Sequence, residues 1–403
     1  MSEEFEFYKD LREETVPEQT ETAETKSRLQ KPMRNRKKTL FAVVMVVVLS
    51  LVALASARQG TGVDILRRYV ATVGLEQNED GTWGSYVYDG GRLSRFAALG
   101  DGYLLHVSGS SIAIMNGRGN LIYKKEAYME NPVVYSNGEA AVVYDVGGTT
   151  LWWMDRDGEV AKIDCNGILS ATLNREGWLA ITDQYSGYKG AVQVYTPRQE
   201  KAFTFCSSER FVTDACVLNG GKRLAAVTVG QKDGVFTSNV LVYRLDSTAV
   251  ETSLAIDDAF VTHVGEVDGT VAFTADTCLT YMDNKGEWNG SYDYSALYLR
   301  GCEFSEDFTA LLLTRYRSGT LGAVMTLDEK GEVIGAEEMD EEIVDISAAG
   351  HYVSVLFNDR VEIYTHKMEL YAEHEVNRVT HIFQQEDGTV LAVGDTKAVL
   401  IKP

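Results

Sequence analysis

Short runs of apolar residues separated by polar turns occupy most of the chain. One such hairpin, LWWMDRDGEV, begins at Leu151, and similar ones begin at Ala113, Leu279 and Ala323. Each turn contains an Asp or Asn that can accept backbone N–H bonds from downstream, and a Gly follows three residues later. Because Gly adopts the left-handed conformation that closes such a turn, the pattern predicts antiparallel β-hairpins.

These hairpins recur at a nearly constant spacing. Three more, without Gly, begin at Val192, Leu241 and Val361. The residues that end the first strand of each hairpin are Met115, Met154, Tyr195, Tyr243, Met282, Met325 and Tyr364. Successive steps are 39, 41, 48, 39, 43 and 39 residues. A repeat of about 40 residues built only from strands is typical of the four-stranded blades of a β-propeller. We therefore predict an all-β fold.

The end of the chain indicates how the ring closes. The last full repeat has predicted strands at 343–347, 352–357, 360–365 and 369–372. Three more strands follow, at 379–383, 389–393 and 397–401, so the final blade lacks its outermost strand.

A strand at residues 85–91, SYVYDGG, is available to complete that blade. Pairing the first strand with the last removes an open sheet edge. Residues 85–403, 319 in all, then form eight blades of about 40 residues each. Seven blades are the alternative if the long step of 48 residues is misleading.

The period and the hairpins resemble bacterial propellers of the quinoprotein-like and WD-repeat-like superfamilies. The chain is similar in particular to a group of single-pass membrane propellers from Gram-positive anaerobes that form a domain of unknown function. The resemblance implies a propeller behind one membrane anchor. The sequence has no Trp-Asp dipeptide, one Gly-His pair at Gly350 and His351, and no tryptophan-docking repeat. No cofactor is therefore implied.

An uncharged apolar run near the N-terminus predicts a membrane anchor. Residues 39–57, TLFAVVMVVVLSLVALASA, are 19 residues without a charged side chain, which is about the length of a membrane-spanning helix. Seven Lys and Arg residues lie at positions 26–38, but few follow the run. We therefore expect a single pass through the plasma membrane, with the N-terminus in the cytoplasm and the propeller outside. The alternative is a leader that is cleaved after Ala57.

The segments on either side of the anchor differ in character. Residues 1–38 are acidic up to position 25 and basic after it, and we expect a disordered cytoplasmic tail. A cluster of Phe5, Phe7, Tyr8 and Leu11 could form one amphipathic turn for a cytoplasmic partner, and incidental aromatics in a solvated tail are the preferred interpretation. Residues 58–84 are predicted to be a stalk with a short helix that Asp64 caps. One side of this helix is apolar and consists of Ile65, Leu66, Tyr69, Val70 and Val73.

Charge narrows the range of partners. The formal net charge of −21 belongs to the region beyond the anchor, because nine bases and nine acids cancel in the tail. Such an acidic surface disfavours nucleic acid and suits solubility or cationic partners.

Linear motifs for catalysis or metal binding are missing from the sequence. The six histidines have none of the paired spacings of metal sites, and no Gly-x-Ser-x-Gly elbow or phosphate-binding glycine loop occurs. These histidines are His106, His263, His351, His366, His374 and His381. Asp155 and Asp157 resemble part of a calcium loop, but the related turns lack the pair, so turn formation is the better interpretation. We predict no catalytic, cofactor-binding or metal-binding residues.

The five cysteines also lack a binding motif. They are Cys165, Cys206, Cys216, Cys278 and Cys302, without a Cys-x-x-Cys spacing. A disulfide between Cys206 and Cys216 is one interpretation, and five small buried residues of a large core are the preferred one.

Three classes of function are consistent with these observations. We favour a non-enzymatic scaffold or receptor that binds proteins at the cell envelope. A binding module for a glycan or another small ligand is the second class. It would use an exposed aromatic ring such as Trp152 or Trp288. Trp152 and its neighbour Trp153 face opposite sides of a strand, so at most one is expected in the core, and packing between blades is preferred over sugar stacking for the other. The third class is a hydrolase whose residues converge on the central channel from distant blades. A cluster of acidic residues and His in the channel would favour the enzyme, and a solvent-facing platform of Trp and Tyr would favour the glycan reader.

Overall fold

The computed structural model describes residues 43–47, 50 and 61–403, except for 219, 233, 248–249, 257–258, 284 and 318–320. The chain divides into two compact units, Met1–Leu54 and Ala55–Pro403. The predicted tail, residues 1–38, lies outside the described residues, as does most of the predicted anchor, whose positions 43–47 and 50 are helical. No helix within the described ranges is long and apolar enough to cross a bilayer.

The second unit contains one helix before its strands. Helix α1 spans Thr61–Thr72. The strands are β1 (Trp83–Val87), β2 (Arg95–Ala98), β3 (Leu104–Val107), β4 (Ser111–Met115), β5 (Leu121–Glu126), β6 (Pro132–Ser136), β7 (Ala141–Asp145), β8 (Thr150–Asp155), β9 (Gly158–Asp164), β10 (Ile168–Leu173), β11 (Leu179–Asp183), β12 (Gly190–Tyr195), β13 (Lys201–Ser207), β14 (Phe211–Leu218), β15 (Arg223–Lys232), β16 (Val235–Arg244), β17 (Val250–Ile256), β18 (Val261–Val267), β19 (Thr270–Ala275), β20 (Cys278–Met282), β21 (Trp288–Asp293), β22 (Tyr298–Phe304), β23 (Thr309–Thr314), β24 (Gly322–Leu327), β25 (Val333–Met339), β26 (Asp345–Ala349), β27 (Tyr352–Leu356), β28 (Arg360–Thr365), β29 (Leu370–Glu375), β30 (Val379–Gln384), β31 (Val390–Gly394) and β32 (Lys397–Ile401).

These strands form eight four-stranded antiparallel sheets within the described residues, which are the blades of a β-propeller. Blade 1 consists of β2 to β5, and each later blade takes the next four strands up to blade 7, β26 to β29. The first strand of each blade is innermost and contacts the first strand of the next blade, as β14 contacts β18. The eight-bladed prediction is confirmed, and the seven-bladed alternative is wrong.

The long step of 48 residues has a local cause. Strands β15 and β16 of blade 4 contain ten residues each, whereas their counterparts β11 and β12 in blade 3 contain five and six. The extra residues extend one hairpin and leave the repeat of blades unchanged.

Blade 8 closes the ring with strands from both ends of the propeller. Its order is β1-β32-β31-β30, and Trp83 lies opposite Leu400 while Tyr86 lies opposite Ala398. The predicted pairing is confirmed, although β1 begins two residues before the predicted start and ends at Val87. Tyr86 is fully buried between blades 8 and 1, so the closing strand also contributes to the core.

The repeated turns form as their chemistry predicts. The Asp155 side chain accepts the backbone N–H groups of Asp157 (2.8 Å) and Gly158 (3.1 Å), which assigns this carboxylate to the turn. Asn116, Asp283 and Asp328 accept equivalent bonds in their own turns. The last pairing of each such hairpin is shifted by one residue, as at Trp153 and Met154 in blade 2, which is a β-bulge.

The core lies between neighbouring blades. Second strands such as β11 and β27 are buried along their whole length, and most outermost strands alternate between exposed and half-buried positions. Trp153 packs in the core between blades 2 and 3, and Trp152 is half-buried against the core between blades 1 and 2. The expectation that both pack between blades is confirmed. All five cysteines are free, so the Cys206–Cys216 disulfide does not form in the structure.

Helix α1 belongs to the propeller unit and packs on the edge of blades 7 and 8. Asp64 lies in the first turn of α1, inside the helix that begins at Thr61, so the prediction that Asp64 caps the helix is wrong. Its carboxylate instead accepts a hydrogen bond from the Tyr352 hydroxyl (3.0 Å). Arg68 donates to the hydroxyls of Tyr352 (2.9 Å) and Tyr371 (3.0 Å). The predicted stalk helix therefore lies against the ring.

Candidate functional site

The ring has two faces that its topology distinguishes. The turns between the first and second strands and between the third and fourth strands of each blade lie on one face, which we call the AB face. The loops between the second and third strands, and the connections between blades, lie on the opposite face, which we call the BC face. Helix α1 contacts the AB face, because its Arg68 also donates to the backbone carbonyl of Asp387 in the first turn of blade 8.

A central channel of about 1070 Å³ runs along the innermost strands and opens among the AB turns. Carboxylates and imidazoles from five blades lie at or beside its wall, namely Asp214, His263, Glu303, Asp345 and His381. This is the kind of cluster that would favour an enzyme, so the role of each side chain decides the interpretation.

Two Asp-His pairs in this cluster connect neighbouring blades. Asp214 of blade 4 accepts hydrogen bonds from the Val264 backbone N–H (3.2 Å) and the His263 Nδ1 (3.1 Å) of blade 5. Asp345 of blade 7 likewise accepts the backbone N–H of Ile382 in blade 8 (3.1 Å).

In both pairs a β-bulge in the innermost strand precedes the His, between Val261 and His263 and between Val379 and His381. Burial acts to lower the pKa of His263, but the hydrogen bond and charge of Asp214 outweigh it and raise that pKa. These pairs therefore hold adjacent blades together.

Glu303 differs from these carboxylates. Its side chain lies in the channel wall, and no described residue donates a hydrogen bond to it or forms an ion pair with it. Burial, and then the nearby charge of Asp345, raise the pKa of Glu303 to about 8, while His263 acts in the opposite direction. The Glu303 carboxyl is therefore mostly protonated at neutral pH.

The two cysteine thiols of the channel are unreactive. Cys216 and Cys302 line it, and burial raises the pKa of both thiols far above neutrality, so neither forms the thiolate that a nucleophile needs. The His263 ring stacks on Phe304, with ring centroids 5.6 Å apart, and lies 6.3 Å from the ring of Tyr135. All three rings line the channel.

Ion pairs cross the AB mouth of the channel. Arg175 of blade 3 contacts Glu306 of blade 6 (2.7 Å) and Glu386 of blade 8 (3.4 Å), and Arg67 of α1 also reaches Glu386 (3.6 Å). Within the described part of the chain, no group of three or more His, Cys, Asp or Glu side chains is arranged to hold a metal ion. The described channel residues thus include a protonated carboxyl, carboxylates that connect blades, and two protonated thiols.

The BC face carries several exposed aromatic side chains, and five of them lie on blades 3 to 5. We call Tyr185, Tyr188, Phe211, Phe236 and Phe260 the aromatic patch; they are between 42% and 68% exposed. Tyr185 and Tyr188 lie in one loop, with ring centroids 5.8 Å apart. Aromatic side chains are enriched at interaction surfaces.

The long hairpin of blade 4 stands beside this patch with unpaired edges. Strand β17 pairs with β16 only from Ser238 onward, and β14 pairs with β15 only up to Val229. Within the described residues, the outer edges of Val235–Thr237 and Gly230–Lys232 therefore have no neighbouring strand. Such edges can pair with an extended segment of another chain.

The sequence predicted neither the channel cluster nor the aromatic patch. No site residue was proposed from it. Asp214 and His263 lie on different blades and carry no local motif. Only the long step between Tyr195 and Tyr243 indicated the extended hairpin. Of the sugar-stacking candidates, Trp152 is half-buried with its indole nitrogen enclosed, while Trp288 is 59% exposed on an outermost strand.

Similar structures agree with the fold. The C-terminal WD40 domain of Sif2 matches with a TM-score of 0.56 at 12% sequence identity, over 79% of this chain and 99% of that domain. BamB from Moraxella catarrhalis matches with a TM-score of 0.52 at 13% identity, over 81% of this chain and 99% of that protein. At these identities the likeness concerns the fold alone. No curated protein matches the sequence. Residues 88–402 match the model of a family of unknown function, so this chain belongs to the DUF5711 family.

Proposed function

We propose that this protein is a membrane-anchored, extracytoplasmic propeller that binds protein partners at the cell envelope through its BC face. The aromatic patch carries the proposal. The β-propeller fold is typical of interaction scaffolds but is shared by many functions, so the surface decides between them. Loops on a rigid ring are where binding residues are usually found.

The chemistry of the patch favours a protein ligand with an extended segment. Three of its five side chains are Phe, which offers apolar area without a hydrogen-bonding group for a sugar hydroxyl. The edge at Val235 and Phe236 has no neighbouring strand among the described residues and provides backbone N–H and C=O groups, whereas the Thr237 carbonyl already accepts a hydrogen bond from Arg210. An added strand would use these groups for affinity and the aromatic rings for side-chain contacts.

A non-enzymatic role is supported by the functions of the channel residues. Asp214 and Asp345 accept backbone N–H bonds from the next blade, and the pKa values of the channel thiols are raised by burial. A hydrolase needs an activated nucleophile or water beside a base, and the described channel residues do not form that arrangement.

Cross-linking in cells tests the proposal with matched variants of the full chain. We expect an envelope protein to be captured by the wild type and lost at least about tenfold in Phe236→Ser and Phe211→Ser, since buried aromatic anchors commonly contribute about 2 kcal/mol to binding. Trp288→Ser is the control, because it removes a similarly exposed ring outside the patch. Capture that is unchanged by the patch variants contradicts the proposal. Recovery of cell-wall glycan alone, released by Trp288→Ser, assigns the protein to the glycan-binding class.

A further inference from the structure

Helix α1 packs on the propeller with its polar side and exposes its apolar side. Asp64, Arg68 and Thr72 are at most 6% exposed. The exposed large apolar residues of this segment are Ile65, Leu66, Tyr69 and Val73, each between 58% and 65% exposed. A helix on the surface of a soluble domain normally has the opposite arrangement.

The buried polar contacts fix this orientation. Arg68 donates to the hydroxyls of Tyr352 and Tyr371 and lies 5.6 Å and 5.3 Å from the centroids of their rings. The Tyr352 hydroxyl in turn donates a hydrogen bond to the Asp64 carboxylate. Rotating α1 to bury its apolar side would give up these hydrogen bonds and leave the buried Tyr352 hydroxyl without the partners that Arg68 and Asp64 provide, which is costly. The exposed apolar side is therefore a stable feature of the folded protein.

The position of α1 in the chain indicates what covers this side. The apolar run at residues 39–57 ends only three residues before α1 begins at Thr61. A connection of that length spans at most about 14 Å, and α1 itself is about 18 Å long. If the run crosses a bilayer, the start of α1 lies at the bilayer surface.

We propose that α1 lies in the membrane–water interface, with Ile65, Leu66, Tyr69 and Val73 inserted at the boundary between lipid head groups and acyl chains. The inference rests on the membrane anchoring included in the proposed function. An amphipathic helix with an aromatic residue on its apolar side suits this environment. Lipid thus covers the exposed apolar side of α1. The polar side, which faces water in other interfacial helices, packs on the propeller instead.

This arrangement orients the ring. Because α1 contacts the AB turns of blade 8 through Asp387 and Glu386, the AB mouth of the channel near blades 7 and 8 faces the bilayer. The BC face with its aromatic patch then points away from the membrane, where a protein partner can reach it.

Photo-cross-linking of the full chain in lipid nanodiscs tests the inference. The photoreactive residue p-benzoylphenylalanine replaces Leu66 in one variant and Phe236 in the control, since both side chains are exposed and the substitutions leave the core unchanged. The nanodiscs contain phosphatidylcholine and phosphatidylglycerol with an alkyne-tagged acyl chain. We expect lipid adducts at position 66 at least about tenfold above those at position 236.

The outcomes separate this inference from the proposed function. If the chain enters nanodiscs but position 66 forms no more lipid adduct than position 236, the anchor stands and the interfacial helix is wrong. A cross-link from position 66 to a second copy of the chain assigns the apolar side to a dimer and also overturns the inference. If the chain does not enter nanodiscs, the anchoring and the interfacial helix fail together, while loss of partner capture in the Phe236→Ser variant remains a separate test of the BC face.

Discussion

Glu303 shows how the environment of one side chain sets its chemistry. Asp214 and Asp345 lie beside the same channel, but each accepts backbone N–H bonds from the next blade, which stabilise a carboxylate. Glu303 has no such donor among the described residues, and burial raises its pKa to about 8. One acid in the channel wall therefore changes its charge near neutral pH.

Replacing Glu303 by Gln should remove part of the pH dependence of stability. The pKa of Glu303 is raised from its ordinary 4.5 to about 8 in the folded state, so between these pH values the unfolded chain loses the proton while the folded chain keeps it. The free energy of unfolding of the wild type therefore falls as pH rises through this window. Relative to Glu303→Gln, we expect the loss between pH 5 and pH 9 to be roughly 2 to 5 kcal/mol, at about 1.4 kcal/mol per tenfold change in proton affinity.

Urea unfolding of the full chain in detergent at pH 5, 7 and 9, followed by tryptophan fluorescence, measures this difference. Glu139→Gln is the matched control, because Glu139 is an exposed acid at the channel mouth. Parallel pH profiles for the wild type and Glu303→Gln would contradict the assignment.

Single residues were predictable where their chemistry is local. The turn at Asp155 needs only neighbours within three positions, and it forms as expected. The pair of Asp214 and His263 is separated by 49 positions and exists only because two blades meet. Since no short spacing records that meeting, the channel cluster could not be predicted from the sequence.

At the scale of elements, the strands were predictable because every blade is a meander of neighbouring hairpins. β28 and β32 have the predicted bounds, β27 ends one residue earlier than predicted, and β31 is shifted by one residue at both ends. The apolar runs and the turns both lie within about 40 residues, so local sequence defines each blade. The helix α1 was predicted too, but its orientation depends on Tyr352 and Tyr371, which are distant in the sequence.

Removal of residues 390–403 should abolish cooperative unfolding of the propeller. The truncation deletes β31 and β32 and leaves both β1 and β30 without a partner in blade 8. Unpaired strand edges and the loss of the core around Leu391, Val393 and Leu400 follow. Differential scanning calorimetry should show a broad or absent transition in place of one sharp transition.

The control is a chain lacking only Pro403, which lies outside β32 and whose loss should shift the melting temperature by no more than a few degrees. Calorimetric traces that coincide for the longer truncation and the full chain would show that the ring does not depend on this closure.

We expect the whole molecule to cross the plasma membrane once, in a single orientation. The uncharged run at residues 39–57 and the seven bases before it predict a cytoplasmic tail and an external propeller. A protease added to protoplasts should degrade the propeller and spare a tag placed before residue 1, and detergent should make the tag accessible as the control. A mature chain that begins at Arg58 and accumulates in the medium would establish the cleaved leader instead.

Ring closure by β1 and β32 also sets an order of events during synthesis. Trp83 and Leu400, which lie opposite each other in blade 8, are separated by about 320 residues, and closing a loop of that length costs about 5 kcal/mol of chain entropy. Strand β1 is made before the other strands of the ring, and its partner β32 is the last of these strands to be made. Helix α1 also precedes its partners, because its contacts Tyr352, Tyr371 and Asp387 belong to the final two blades. Until β32 has been made, the seven blades before it cannot form a closed ring, so a chaperone has its longest opportunity to bind at β1 and α1.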